Sequence, residues 1–145
     1  GAKALPILIH VEADLGVAPD HCRRLAAIGG ENPGDALRLS KSDARRVALL
    51  RDAVGSMMCA GELGYREGFE TARDVLLLRV ALLEMPLAPS DLDTAAAADG
   101  QQLPVKPADL MTLGLQGPAL GDRLREIEAR WIASDFTLSR ADLLP

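Results

Sequence analysis

Between Phe69 and Leu83 the chain reads FETARDVLLLRVALL, and its apolar side chains cover most of the circumference of a helix. A helix that is apolar nearly all round belongs at the centre of a bundle, with neighbours on most sides. The densest apolar run, Val75 to Leu83, is interrupted by Arg79 and falls well short of the ~20 residues that span a bilayer. Hydrophobic residues make up 48% of the chain and aromatic ones 3%, so the core must be built from Leu, Ala, Val and Ile. Leu and Ala favour helix, and β-branched residues are few.

The remaining segments punctuate in the same way. Residues 3–15 place Leu5, Leu8, Ile9 and Leu15 near helical spacing. Pro19 and Asp20 suit the first turn of a helix that runs to Ile28 and stops at Gly29–Gly30. Residues 31–39 read as a turn. Ser40 caps the next helix, whose stripe is Val47, Leu50, Val54 and Met57, with Asp43 in the place of a capping-box partner. Three glycines in GELGYREG (61–68) predict a loosened link. Met85–Pro86–Leu87–Ala88–Pro89 ends the central helix and predicts the main boundary. Beyond it, Ser90 caps a short helix, Pro107 opens another that ends near Gly114, and Gly117–Pro118 opens a long one. In that last helix Leu120, Leu124, Ile127 and Trp131 recur at helical spacing, and Ser139 caps a final turn. The expectation is an all-α bundle of about six to eight helices: a body at residues 1–85 and a small helical tail at 86–145 with a helix-turn-helix corner.

The net charge of −5 does not suit wholesale binding of nucleic acid, which needs Lys and Arg to displace phosphate counterions. Any such contact must be local. One stretch qualifies: Arg38, Lys41, Arg45, Arg46 and Arg51 stand against Asp43 alone, and Arg23–Arg24 could extend them. They read either as a phosphate-tracking stripe or as a solvated helix face. The segment Leu110–Gly121 holds Gly114, Gly117 and Gly121 around Pro118. It reads either as a helix-hairpin-helix, whose exposed backbone N–H groups meet phosphate, or as a sharp αα corner. Gly121 would allow tight packing on a neighbour.

Reactive chemistry is poorly represented. Asp91 and Asp93 could share Mg²⁺ on a strand, but on a helix i and i+2 diverge. His10, His21, Cys22 and Cys59 lack the paired spacings of a zinc site, and His21 and Cys22 are expected to diverge on their helix. A Cys–His pair assembled in space would need a thiol of depressed pKa. The two cysteines form no disulfide framework, which suits a reducing cytosol, and no signal peptide is visible. Gly1 stands where a start Met would, as expected of a chain that continues upstream.

From residue 37 onward the order of segments resembles the C-terminal half of bacterial CCA-adding tRNA nucleotidyltransferases and poly(A) polymerases. The pieces are ALRLSKSDARRVALL, LGYREGFETARDVLLLRVAL and, most specifically, LPVKPADLMTLGLQGPALGDRLREIEARWIASDFTLSRADLL. In that family a Pro-Val, a short DLM helix and a Gly-Pro-x-hydrophobic-Gly turn lead into a long closing helix. The resemblance covers about two thirds of the chain, and residues 1–36 fit it loosely. It implies a body and tail that hold tRNA, with Arg38, Lys41, Arg45, Arg46, Arg51, Gly117 and Gly121 as the positions that meet phosphate. It also implies an upstream catalytic head and neck using Mg²⁺, ATP and CTP in the cytoplasm. The head's Gly-Ser and D-x-D motifs are not found here, so no catalytic residue, metal ligand or cofactor is assigned to this chain, and no membrane. A second reading is a helical interaction module that dimerises through the Phe69–Leu83 surface and has no RNA affinity.

Overall fold

The computed structural model describes residues 3–28 and 40–145. Among them are nine helices and no strand. The body holds α1 (Ala4–Leu15), α2 (His21–Ile28), α3 (Lys41–Gly55), α4 (Ala60–Glu67), α5 (Phe69–Leu83) and α6 (Asp91–Ala98); the tail holds α7 (Pro107–Thr112), α8 (Gly117–Ala133) and α9 (Arg140–Leu143). No described helix is long and apolar enough to cross a membrane.

The all-round apolar helix sits where its pattern demands. α5 packs against each of the other five body helices. Val75, Leu76, Leu77, Leu78 and Ala81 are all buried, together with Leu8, Val47, Leu50 and Leu63 from its neighbours. A partner is therefore not needed to cover this face. Arg79, the one break in the apolar run, is buried as well. It donates to the carbonyls of Val54 (3.2 Å), Met58 (2.7 Å), Ala53 (3.2 Å) and Ser56 (2.8 Å). These are carbonyls at the end of α3 and in the turn beyond it, where the helix's own ladder runs out, and a guanidinium has enough donors to reach them together. Burial lowers the Arg79 pKa from its ordinary value.

Capping follows the sequence in part. Ser40 accepts the Asp43 N–H, and Ser139 and Asp142 form a reciprocal capping box on α9. Ser90 makes no side-chain cap; Asp91 instead accepts the Ala88 N–H at 2.9 Å.

The larger departure is at residues 60–67, where glycines predicted looseness and a helix stands. Its glycines serve contact. A Cβ on Gly64 would run into the backbone carbonyl of Ala95, and one on Gly61 would lie 3.3 Å from the Phe136 ring. α4 and α6 therefore approach backbone to backbone, which outweighs the ~1 kcal/mol that a helical glycine forfeits against alanine. Leu87, Leu92 and Ala95 join the body's apolar cluster, so packing continues past the Met85–Pro86 turn.

The tail builds a second cluster from Val105, Leu110, Ile127, Trp131, Ile132 and Leu143. Its centre is aromatic, unlike the aliphatic core the composition implied. Trp131 meets Tyr65 edge-on (5.2 Å between centroids, 87°) and Phe136 likewise (4.8 Å, 85°). Tyr65 belongs to α4, so this trio seats the tail on the body. The Tyr65 hydroxyl donates to Glu128 at 2.8 Å, and Arg66 bridges Glu62 and Glu128.

Two glycine substitutions separate contact from flexibility. Gly64→Ala should lower stability by about 2 kcal/mol or more, since the clash is with backbone. Gly121→Ala should be neutral or raise it by about 0.5–1 kcal/mol, because a Cβ there meets nothing nearer than the Arg125 guanidinium at 3.6 Å. Urea unfolding of both variants checks the pair.

Candidate functional site

Where α1, α2, α3 and α5 converge, the core is ionic. Arg23, 1% exposed, donates through Nε and Nη2 to Glu12 Oε2 at 2.9 and 2.6 Å and through Nη1 to Asp74 Oδ1 at 2.7 Å. Its Nη2 also reaches the Ala18 carbonyl at 2.6 Å. Arg24 takes the other Glu12 oxygen at 2.9 Å. Arg46 takes the other Asp74 oxygen at 2.7 Å and donates to Thr71 Oγ1 at 2.6 Å. Each carboxylate is thus shared by two arginines. Burial opposes the Arg23 charge, and the bonds to Asp74 and Glu12 outweigh it, so its pKa is raised.

This cluster divides the basic stretch. Arg46 turns inward as a partner of Asp74. Arg23 and Arg24, expected to extend an RNA-facing patch, are committed to Glu12. Arg51 is half-buried and donates to the Leu25 carbonyl at 3.4 Å. Arg38 lies outside the described residues. Lys41 and Arg45 are exposed and form no ion pair among the described residues. The sequence held the signal for this division. Glu12 and Asp74 are acids on apolar helix faces, and a buried carboxylate demands a buried cation.

The glycine corner is also partly as read. Gly114 follows the end of α7 with φ +93°, and Gly117 begins α8 with φ +60°, both left-handed conformations that glycine adopts without strain. Gln116 makes no side-chain cap, so the N-cap residue leaves the first N–H groups of α8 unclaimed. Gly121 packs against no neighbouring backbone, contrary to its expected role; the close approach in this fold belongs to Gly64. Arg140 of α9 ties down the start of α7, donating to Asp109 Oδ1 at 2.6 Å and Oδ2 at 3.2 Å, while Asp109 Oδ2 also accepts the Lys106 N–H at 2.9 Å. The Arg140 bond, then the Lys106 N–H, pull the Asp109 carboxyl down to about 2.

Among the thiol and imidazole candidates, His10 pairs with Asp14 at 3.1 Å and Cys59 is exposed at the start of α4. His21 and Cys22 do not diverge. Asp43, at the first turn of α3, draws both together: His21 Nε2 lies 3.0 Å from Asp43 Oδ2 and 3.5 Å from Cys22 Sγ, and the thiol donates to Asp43 Oδ1 at 3.6 Å. The Asp43 hydrogen bond raises the His21 pKa, and the His21 bond lowers that of Asp43. Burial first, then the Asp43 charge, push the Cys22 thiol up to about 11, which is the wrong direction for a nucleophile. Asp91 and Asp93 occupy the first turn of α6, where a helix welcomes negative charge.

Two outcomes follow. Arg23→Met should cost about 3 kcal/mol or more in urea unfolding, by stranding charge in the core. Arg46→Met should cost less, about 1 kcal/mol, because Asp74 keeps Arg23 and Arg46 reaches solvent. The reverse order would contradict the shared-carboxylate geometry. Asp109 has a depressed folded pKa, so its contribution is present above its unfolded value of roughly 4 and lost as pH falls through about 2. In Arg140→Ala the Asp109 carboxyl should titrate closer to the ordinary range, by NMR, with a residual depression from the Lys106 N–H. No protein-family model, curated protein or solved structure matches this chain.

Proposed function

We propose that this chain is the non-catalytic, RNA-holding helical region of a nucleotidyltransferase that extends RNA 3′ ends, by CCA or by adenosines alone. The observation that carries the reading is the form taken by residues 103–144, the most specific part of the family resemblance. They fold as a short helix, a turn with glycine in left-handed conformation, and a long helix whose N-cap side chain makes no capping bond. Such a start presents donors and the positive end of a helix dipole to a phosphate. Lys41 and Arg45 supply exposed cations on α3. On this reading Arg46 and Arg23 stiffen the body and do not touch RNA. With a net charge of −5 the contact is confined to these few positions, so binding by this chain alone is weak and steeply salt-dependent. A catalytic head and neck upstream would supply the Mg²⁺, ATP and CTP chemistry, in the cytoplasm.

A second reading, a helical interaction module, draws its surface from the tail. Met111 and Leu113 are exposed large apolar side chains beside a hollow lined by Leu110, Leu115 and Ile127. A tight dimer in light scattering, with no tRNA affinity, would favour it.

The RNA reading is tested by a tRNA gel shift at low salt. Replacing Lys41 and Arg45 together by Glu should weaken binding about tenfold or more and flatten the log–log salt dependence by roughly 1.4 to 2. Unchanged affinity and slope would remove the α3 surface from the RNA contact. Arg46→Glu is the wrong probe, since it would unfold the cluster around Asp74.

A further inference from the structure

The meeting of His21, Cys22 and Asp43 has a geometry that hydrogen bonding alone does not require. One nitrogen, one sulfur and one carboxylate face a common point from the first turns of α2 and α3. His21 Nε2 lies 3.0 Å from Asp43 Oδ2 and 3.5 Å from Cys22 Sγ, the sulfur lies 3.6 Å from Asp43 Oδ1, and one donor atom from each residue falls within 4.8 Å of the other two. For a tetrahedral ion about 2.3 Å from sulfur and about 2.0–2.2 Å from nitrogen and oxygen, neighbouring donors stand roughly 3.3–3.6 Å apart. The three groups are therefore close enough to share one small cation after a shift of a few tenths of an ångström, with the carboxylate turning one oxygen toward it.

A reactive Cys–His–Asp relay would look different. There the imidazole meets the nucleophile through one ring nitrogen and the carboxylate through the other. Here Nε2 faces both partners, so the groups converge on a point and do not form a line. The charge balance also fits a cation. Asp43 and Asp20 both act on His21 and Cys22, while the nearby Arg46 has its charge engaged by Asp74.

We infer that His21 Nε2, Cys22 Sγ and a carboxylate oxygen of Asp43 form a binding site for a borderline divalent cation of the Zn²⁺ or Co²⁺ type, cross-linking α2 to α3. On binding, the Cys22 thiol gives its proton to solvent and the sulfur donates an electron pair to the ion; His21, neutral with its proton on Nδ1, donates the Nε2 lone pair and loses no proton. The His21 side chain is 67% exposed, so the fourth position opens to solvent and takes a water. A mixed sulfur, nitrogen and oxygen set selects against Mg²⁺ and Ca²⁺, which take oxygen donors. The site stands independently of the RNA reading.

The test is titration of the chelator-stripped full chain with Co²⁺ alone. A thiolate-to-cobalt charge-transfer band should saturate at one ion per chain and be displaced by Zn²⁺. Cys59→Ser should keep the band and Cys22→Ser should abolish it. Asp43→Asn and His21→Ala should each weaken Co²⁺ binding about tenfold or more. His21→Ala alters a mostly exposed side chain, so it carries the test if Cys22→Ser fails to fold. No band with Co²⁺ in excess, a band that survives in Cys22→Ser, or unchanged affinity in His21→Ala would each overturn the site.

Discussion

The body of this protein depends on two carboxylates that each hold two arginines. Glu12 on α1 binds Arg23 and Arg24 of α2, and Asp74 on α5 binds Arg23 and Arg46 of α3. Four helices are thereby joined around one guanidinium that is almost wholly out of water. Paired in this way the charges are tolerable in a low-dielectric interior; with one partner removed they are not. The aliphatic core around them supplies the bulk of the burial but little direction, since Leu, Val and Ala side chains accept many packings.

The tail is attached on different terms. Gly64 lets α6 lie directly on α4, and the next residue of the same helix, Tyr65, reaches Trp131 and Phe136. Three of the chain's four aromatic residues meet at this seam. α4 is thus buried on one side by the body and on the other supports the tail, and its glycine content is the means by which it does both. The surface that the RNA reading invokes is split between Lys41 and Arg45 on α3 and the exposed start of α8, on the two sides of this seam.

Helix type and placement were largely legible in the residues. The all-round apolar pattern of 69–83 located the central helix, and Pro107, Gly117–Pro118, Ser40 and Ser139 marked starts that the fold uses. Residues 60–67 were not legible, because a glycine that breaks a helix and a glycine that admits a neighbour look the same until the neighbour is known. The basic stretch was legible as charge but not as function. Arg46 is spoken for by Asp74, 28 positions away; an acid on an apolar helix face signals that some cation is needed, and nothing local says which one. His21 and Cys22 were missed as a pair for the same reason, since Asp43 joins them from another helix.

α5 carries two buried charged groups that need quite different company. Asp74 requires the two guanidinium groups beside it, and Arg79 requires the carbonyls that close α3. Five residues apart on a helix, they project in directions roughly 140° from each other. A greasy cylinder could otherwise spin or slide among greasy neighbours at small cost. These two prongs index it like a key with teeth on opposing edges: any other rotation leaves an ion facing hydrocarbon, so the least patterned helix of the chain is also the one with a single permitted orientation.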